Sequence, residues 1–77
     1  MKTLYSLNNN SIAKISHFGD LKSVTRLSEM GMISGAKVRL IKKTPFGGPV
    51  QVKINDYYLI LRKEDATKIY IVNSDEK

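Results

Sequence analysis

The chain has 77 residues and no cysteine, and carries 13 Lys+Arg against 7 Asp+Glu for a formal net charge of +6. The missing thiol excludes disulfides, thiolate metal sites, iron–sulfur ligation and cysteine nucleophiles, and fits a reducing compartment. A chain of this size forms one domain over residues 1–77 that buries only about 60% of its unfolded surface, so its core is small.

Met1-Lys2-Thr3-Leu4-Tyr5-Ser6 turns polar at once in the turn-prone Asn8-Asn9-Asn10, and the longest apolar run is Tyr57 to Leu61. A signal peptide needs an apolar stretch of roughly 7–15 residues and a spanning helix about 20, so a cytoplasmic location is expected. Ile12 to Phe18 reads as a strand anchored by Ile12 and Ile15, and their spacing of three predicts a bulge or bend. Gly19 breaks it. Asp20 is a good N-cap for a helix of about three turns, with Leu21, Val24 and Leu27 on one apolar stripe and Met30 near its end. Gly31 stands where a helix stops with a left-handed residue, and Gly35 closes the next turn.

Ala36 to Lys43 alternates, with Val38 and Leu40 inward and Lys37 and Arg39 outward, until Ile41 breaks the pattern and predicts a second bulge. Thr44-Pro45-Phe46-Gly47-Gly48-Pro49 is an emphatic loop. Val50, Val52 and Ile54 alternate cleanly with Gln51 and Lys53, Asn55-Asp56 turns the chain, and Tyr57 to Arg62 returns as a hairpin strand. Lys63 to Thr67 suits one helical turn, Ile69 to Val72 a last strand, and 73–77 a polar, frayed tail. The order is β-α-β-β-β-β, with a helical turn before the last strand. Five short strands with few inward residues close into a small SH3-like or OB-like barrel, because closure removes sticky edges.

Residues 34–63 hold a net charge of +6, residues 1–33 hold +2 and residues 64–77 hold −2. Such a basic centre attracts polyanions, acidic protein patches or anionic headgroups, although lysine on solvent-facing strand positions is the plainer reading. Little chemistry accompanies it. His17, the only histidine, has no partner at ligand spacing and reads as a strand-end residue. Met30 and Met32 flank Gly31; two thioethers make a weak soft-metal site and serve better as gap-fillers where the helix turns back. Gly47-Gly48 precedes Pro49, so no Walker loop exists, and no nucleophile–base motif appears. The inventory argues against an enzyme. Tyr57 and Tyr58 beside Arg62 and Lys53 form either a stacking platform for single strands or, in the favoured reading, a cross-strand pair with one ring buried.

Three motifs in order resemble one family. Arg26-Leu27-Ser28-Glu29-Met30-Gly31-Met32-Ile33-Ser34-Gly35-Ala36-Lys37-Val38 resembles the FeoA pattern Arg-Leu-x-Glu-Leu/Met-Gly followed by x-Gly-x-x-Val. Thr44-Pro45-Phe46-Gly47-Gly48-Pro49-Val50 resembles its Ala-Pro-x-Gly-Asp-Pro-Ile loop. Leu61-Arg62-Lys63-Glu64-Asp65-Ala66-Thr67-Lys68-Ile69-Tyr70-Ile71 resembles its Leu-Arg-x-x-Glu-Ala-x-x-Ile-x-Val ending. The resemblance covers about residues 4–72. Asn55-Asp56 replaces a usual hairpin glycine, Asn8-Asn9-Asn10 a Pro-Gly, and Thr44 and Gly48 an alanine and an aspartate.

The resemblance implies a mainly β, small SH3-like barrel, with one helix after the first strand and a short helical turn before the last. It implies a non-catalytic cytoplasmic protein of ferrous-iron uptake that binds and modulates FeoB, the membrane GTPase transporter. The same barrel occurs in some metal-dependent repressors, and family descriptions attach transition-metal binding to it. No metal-ligating residue and no cofactor is expected here. The expected docking surface comprises Lys22, Arg26, Met30, Met32, Thr44, Pro45, Phe46, Gly47, Gly48, Pro49 and Arg62, with Gly31 and Gly35 as structural turns. Two alternatives stand beside it: a nucleic-acid-binding barrel, which is disfavoured, and a transition-metal sensor or carrier. Strand edges offer a route to homo-oligomers.

Overall fold

Alternation of apolar residues with period two dictates a sheet, and the computed structural model, which describes residues 2–73, is one antiparallel sheet curled around those residues. Its strands are β1 (Lys2–Thr3), β2 (Ser11–Phe18), β3 (Lys37–Lys43), β4 (Val50–Ile54), β5 (Tyr57–Leu61) and β6 (Ile69–Asn73). A 3-10 turn at Leu4–Ser6 follows β1, helix α1 (Val24–Glu29) joins β2 to β3, and α2 (Lys63–Ala66) precedes β6. The spatial order is β1-β6-β2-β3-β4-β5. The core takes Ala13 and Ile15 from β2, Val38 and Leu40 from β3, and Val50, Val52 and Ile54 from β4. Leu61, Ile69 and Ile71 complete the strand set, and Leu4, Leu21, Leu27, Met32 and Ala66 fill in from outside the strands.

The structure extends the expected architecture at one end. β1 pairs with β6 through Lys2–Ile71 and Thr3–Tyr70, and Leu4 behind it is fully buried. A two-residue strand and one leucine give no periodic signal, so neither was visible in the sequence. The hydrogen-bonded ladder also does not close. β1 and β5 end the strand order and are not neighbours, so β5 keeps a free edge.

Two local expectations are corrected. Ile12 is not a core anchor: it lies outward at 37% exposure, and the inward face of β2 is carried by Ala13 and Ile15. The bulge in that strand falls between Ile15 and His17, after the buried pair. The second expected bulge lies where Ile41 broke the alternation, between Leu40 and Lys42. The helix is also shorter than three turns. Its N-cap is Ser23, with no side-chain cap bond, while Asp20 lies in a bend before it. Leu21 reaches the core from that bend, so the expected stripe of Leu21, Val24 and Leu27 still packs inward. Burial, not capping, sets this segment.

Asparagine performs the turns that glycine would. Asn10 has φ of 67° and Asn55 of 53°, a region that short amide side chains tolerate. Asn55 Nδ2 donates to Met30 O at 3.4 Å, tying the β4–β5 hairpin to the end of α1. Gly31 lies beside it at φ 99°, and a Cβ there would run into the Asn55 amide. Gly35, at φ 90°, faces open space instead.

Outside the barrel, register sets basic residues against each other. Lys14 stands opposite Lys37, and Arg39 opposite Lys53. Like charges directly opposite across a sheet destabilise it.

Three outcomes follow from this packing. Leu4→Ala lowers unfolding free energy by about 2–4 kcal/mol in denaturant titration, the cost of a cavity in a small core. Gly35→Ala costs roughly 1–2 kcal/mol of left-handed strain, and Gly31→Ala costs more, because it also displaces Asn55. The thermal midpoint rises between about 0.01 M and 1 M NaCl, as the Debye length falls from about 30 Å to about 3 Å, and Lys14→Gln flattens that rise.

Candidate functional site

The loop between β3 and β4 presents the most exposed aromatic ring of the described residues. Its neck is closed by the Thr44 N–H donating to Pro49 O at 3.0 Å. Phe46 takes φ of 63° and Gly47 of 75°, which throws the Phe46 ring outward until it is fully exposed. Pro45 and Pro49 fix their own φ on either side of this tip. Gly48 is half-buried, because Thr44 packs against it: a Cβ at Gly48 would lie 2.8 Å from Thr44 Cγ2. An exposed phenylalanine on a stiff backbone loses little entropy on docking and buries a large apolar area.

The base of the loop is held by a residue the sequence gave no reason to single out. Tyr5 has two ammonium groups near its ring, Lys43 Nζ at 5.1 Å and Lys63 Nζ at 5.4 Å from the centroid. Lys43 Nζ also donates to Tyr5 O at 3.0 Å. Lys63 passes on to within 3.7 Å of the position a Gly47 Cβ would take. The turn after β1, the first turn of α2 and the loop tip are thereby one cluster. Its only sequence trace was an isolated aromatic beside Leu4.

The remaining predicted docking residues are dispersed. Lys22 and Arg62 share a cleft of about 300 Å³ with Asp20, Ser23, Glu64, Asp65 and Lys68. There Arg62 Nε sits 3.8 Å from Asp65 Oδ2, and the Arg62 side chain is largely exposed. Arg26 is exposed on α1, outside that lining. Met30 is half-buried at the end of α1. Met32 is a correction: it is fully buried in the core and offers no surface to a partner. The residue after a left-handed glycine turns inward here, and its long side chain fills the barrel end.

Both Tyr57 and Tyr58 are exposed, so the expected buried ring is absent. β5 lies at the edge, where one flank has no neighbour to cover it. Lys53 Nζ lies 5.4 Å over the Tyr58 ring. His17 stacks on Tyr70 at 4.7 Å between centroids, and its Nδ1 is 3.0 Å from Ser16 Oγ. Among the described residues no group of three or more His, Cys, Asp or Glu is placed to hold a metal ion. No helix among them is long and apolar enough to cross a membrane.

Known proteins give this geometry a context. The FeoA domain family model matches residues 2–73. A fusion of Fe(2+) transport protein A with the Fe(2+) transporter FeoB, from Porphyromonas gingivalis, is 39% identical over 46 residues, which are 60% of this chain. The chain spans 6% of that fusion's length. The solution structure of the FeoA protein from Chlorobium tepidum has a TM-score of 0.82 at 27% identity, covering 91% of this chain and 68% of that one. FeoA from Stenotrophomonas maltophilia, a zinc complex described as a procaryotic SH3 domain protein, scores 0.81 at 27% identity over 94% of this chain and 91% of its own. The SH3 description fits the curled six-stranded sheet seen here. With its matched region running from β1 through β6, the chain belongs to the FeoA domain family.

Proposed function

We propose that this chain is a non-catalytic cytoplasmic accessory protein of ferrous-iron uptake that docks on the cytoplasmic part of a FeoB-type membrane GTPase transporter and modulates it. The observation that carries the reading is the Phe46 tip, a fully exposed ring on a backbone fixed by two prolines and the Thr44–Pro49 bond. A ring exposed on a stiff backbone offers an apolar area that a partner's pocket can bury at little cost in entropy. The basic cluster of Lys43 and Lys63 around Tyr5 supplies a charged rim beside it. In the Porphyromonas gingivalis relative, transport protein A and FeoB share one polypeptide, an arrangement that raises the effective concentration of a docking module at its partner.

A second reading, a single-stranded nucleic acid on Tyr57 and Tyr58, draws on the exposure of both rings and on Lys53 beside them. Binding of that kind weakens steeply with salt.

Titration of the full chain against the cytoplasmic part of FeoB, with and without nucleotide, tests the first reading. Association is expected, and Phe46→Ala weakens it by roughly 2 kcal/mol, about thirtyfold in affinity, without moving the thermal midpoint. No association in either nucleotide state would overturn the reading.

A further inference from the structure

β5 is the last strand in the ladder, with β4 as its one neighbour. Proteins normally blunt such an edge with lysine, proline or a bulge. Tyr57-Tyr58-Leu59-Ile60-Leu61 contains no charge and no proline, and its register against β4 runs without a shift from Tyr57 to Leu61.

The turn decides which backbone groups are open. Asn55-Asp56 is a two-residue connection, so Ile54 and Tyr57 form the hydrogen-bonded closing pair. Bonded and non-bonded pairs then alternate. Tyr57, Leu59 and Leu61 address β4, and the N–H and C=O groups of Tyr58 and Ile60 point away from it. The side chains of these two residues are 62% and 67% exposed. Among the described residues, no backbone hydrogen bond outside the strand pairings involves either of them.

Charge selects the occupant. Lys53 lies opposite Tyr58 with its ammonium over that ring, and exposed Arg62 follows Leu61. A second copy would bring its own Lys53 and Arg62 to this border, with a net charge of +6 on each chain. An acidic strand meets the opposite field. A nucleic acid would use the tyrosine rings and leave the backbone groups unpaired.

We propose that the free edge of β5 is a strand-addition site for an extended, acidic segment of a partner protein. The segment pairs with the backbone of Tyr58 and Ile60 as a seventh strand and sets carboxylates toward Lys53 and Arg62. The site uses none of the residues of the Phe46 tip, and it stands or falls independently of the iron-uptake reading.

The test titrates an alternating Glu-Val peptide into the ¹⁵N-labelled full chain, with an alternating Lys-Val peptide and an oligothymidylate as the contrasting probes. The Glu-Val peptide is expected to saturate, to shift the Tyr58 and Ile60 amides and to slow their hydrogen exchange by about tenfold or more, while the Lys-Val peptide does none of these. Ile60→Glu, a change at an exposed position, keeps the dispersed spectrum of the fold and lowers the affinity for the Glu-Val peptide by about tenfold. Three results would overturn the proposal. One is a shift of basic side chains with no slowed exchange at Tyr58 and Ile60. Another is slowed exchange without peptide that grows with protein concentration and vanishes in Ile60→Glu, which makes the occupant a second copy. The last is saturable binding of oligothymidylate that displaces the Glu-Val peptide.

Discussion

The two-residue period of the β3–β4 ladder, on the side of its bulge nearer the β4–β5 hairpin, governs both the inside and the outside of this domain. Leu40 lies opposite Val52, and both are buried; Arg39 and Lys53, one position along in each strand, are also opposite each other and face out. The packing that joins the first pair forces the second pair together. A shift of one residue would turn the charges inward and the aliphatic chains to water, so hydrophobic burial holds the register against the repulsion it creates. The basic face is thus a by-product of how the core is made.

A sheet of this size leaves its ends open, and the remaining segments serve to stop them. Leu4, Leu21, Leu27, Met32 and Ala66 come from turns, helix and loop, and all enter the core. Each plug brings surface residues with it. Leu4 delivers Tyr5 to Lys43 and Lys63; Ala66 holds α2, whose Lys63 reaches the loop. Gly31 and Asn55 lock the helix end to the hairpin. The loop between β3 and β4 is therefore braced by the turn after β1 and by α2.

What the sequence disclosed follows the same division. β3, β4 and β6 were legible because their inward residues alternate, and the break at Ile41 marked its bulge. Gly31 and Gly35 were legible because few other residues accept their backbone angles. The loop was legible from its prolines and glycines. Elements held by one or two contacts were not. β1 is too short for a period, and α1 lacks its expected first turn, with Leu21 buried from the irregular segment before the helix. Ile12 misled because residue type alone does not distinguish the two faces of a strand, and Ala13 suits the tighter inward position. Met32 had two readings: it is the gap-filler expected where the helix turns back, and it is buried away from the docking surface on which the resemblance had placed it.

The position of β6 has a temporal consequence. β2 lies between β3 and β6, and β6 also carries β1, so strands from the beginning of the domain await one from its end. During synthesis at about 5–20 residues per second, β2 spends several seconds with one side unfilled after it is made. Over that interval the hairpin of β3 and β4 can form beside it, but the barrel has no means of completion. Folding of this domain is therefore gated by the arrival of Ile69–Asn73, and a nascent chain halted before that segment would expose the inner face of β2 to any chaperone or neighbour within reach.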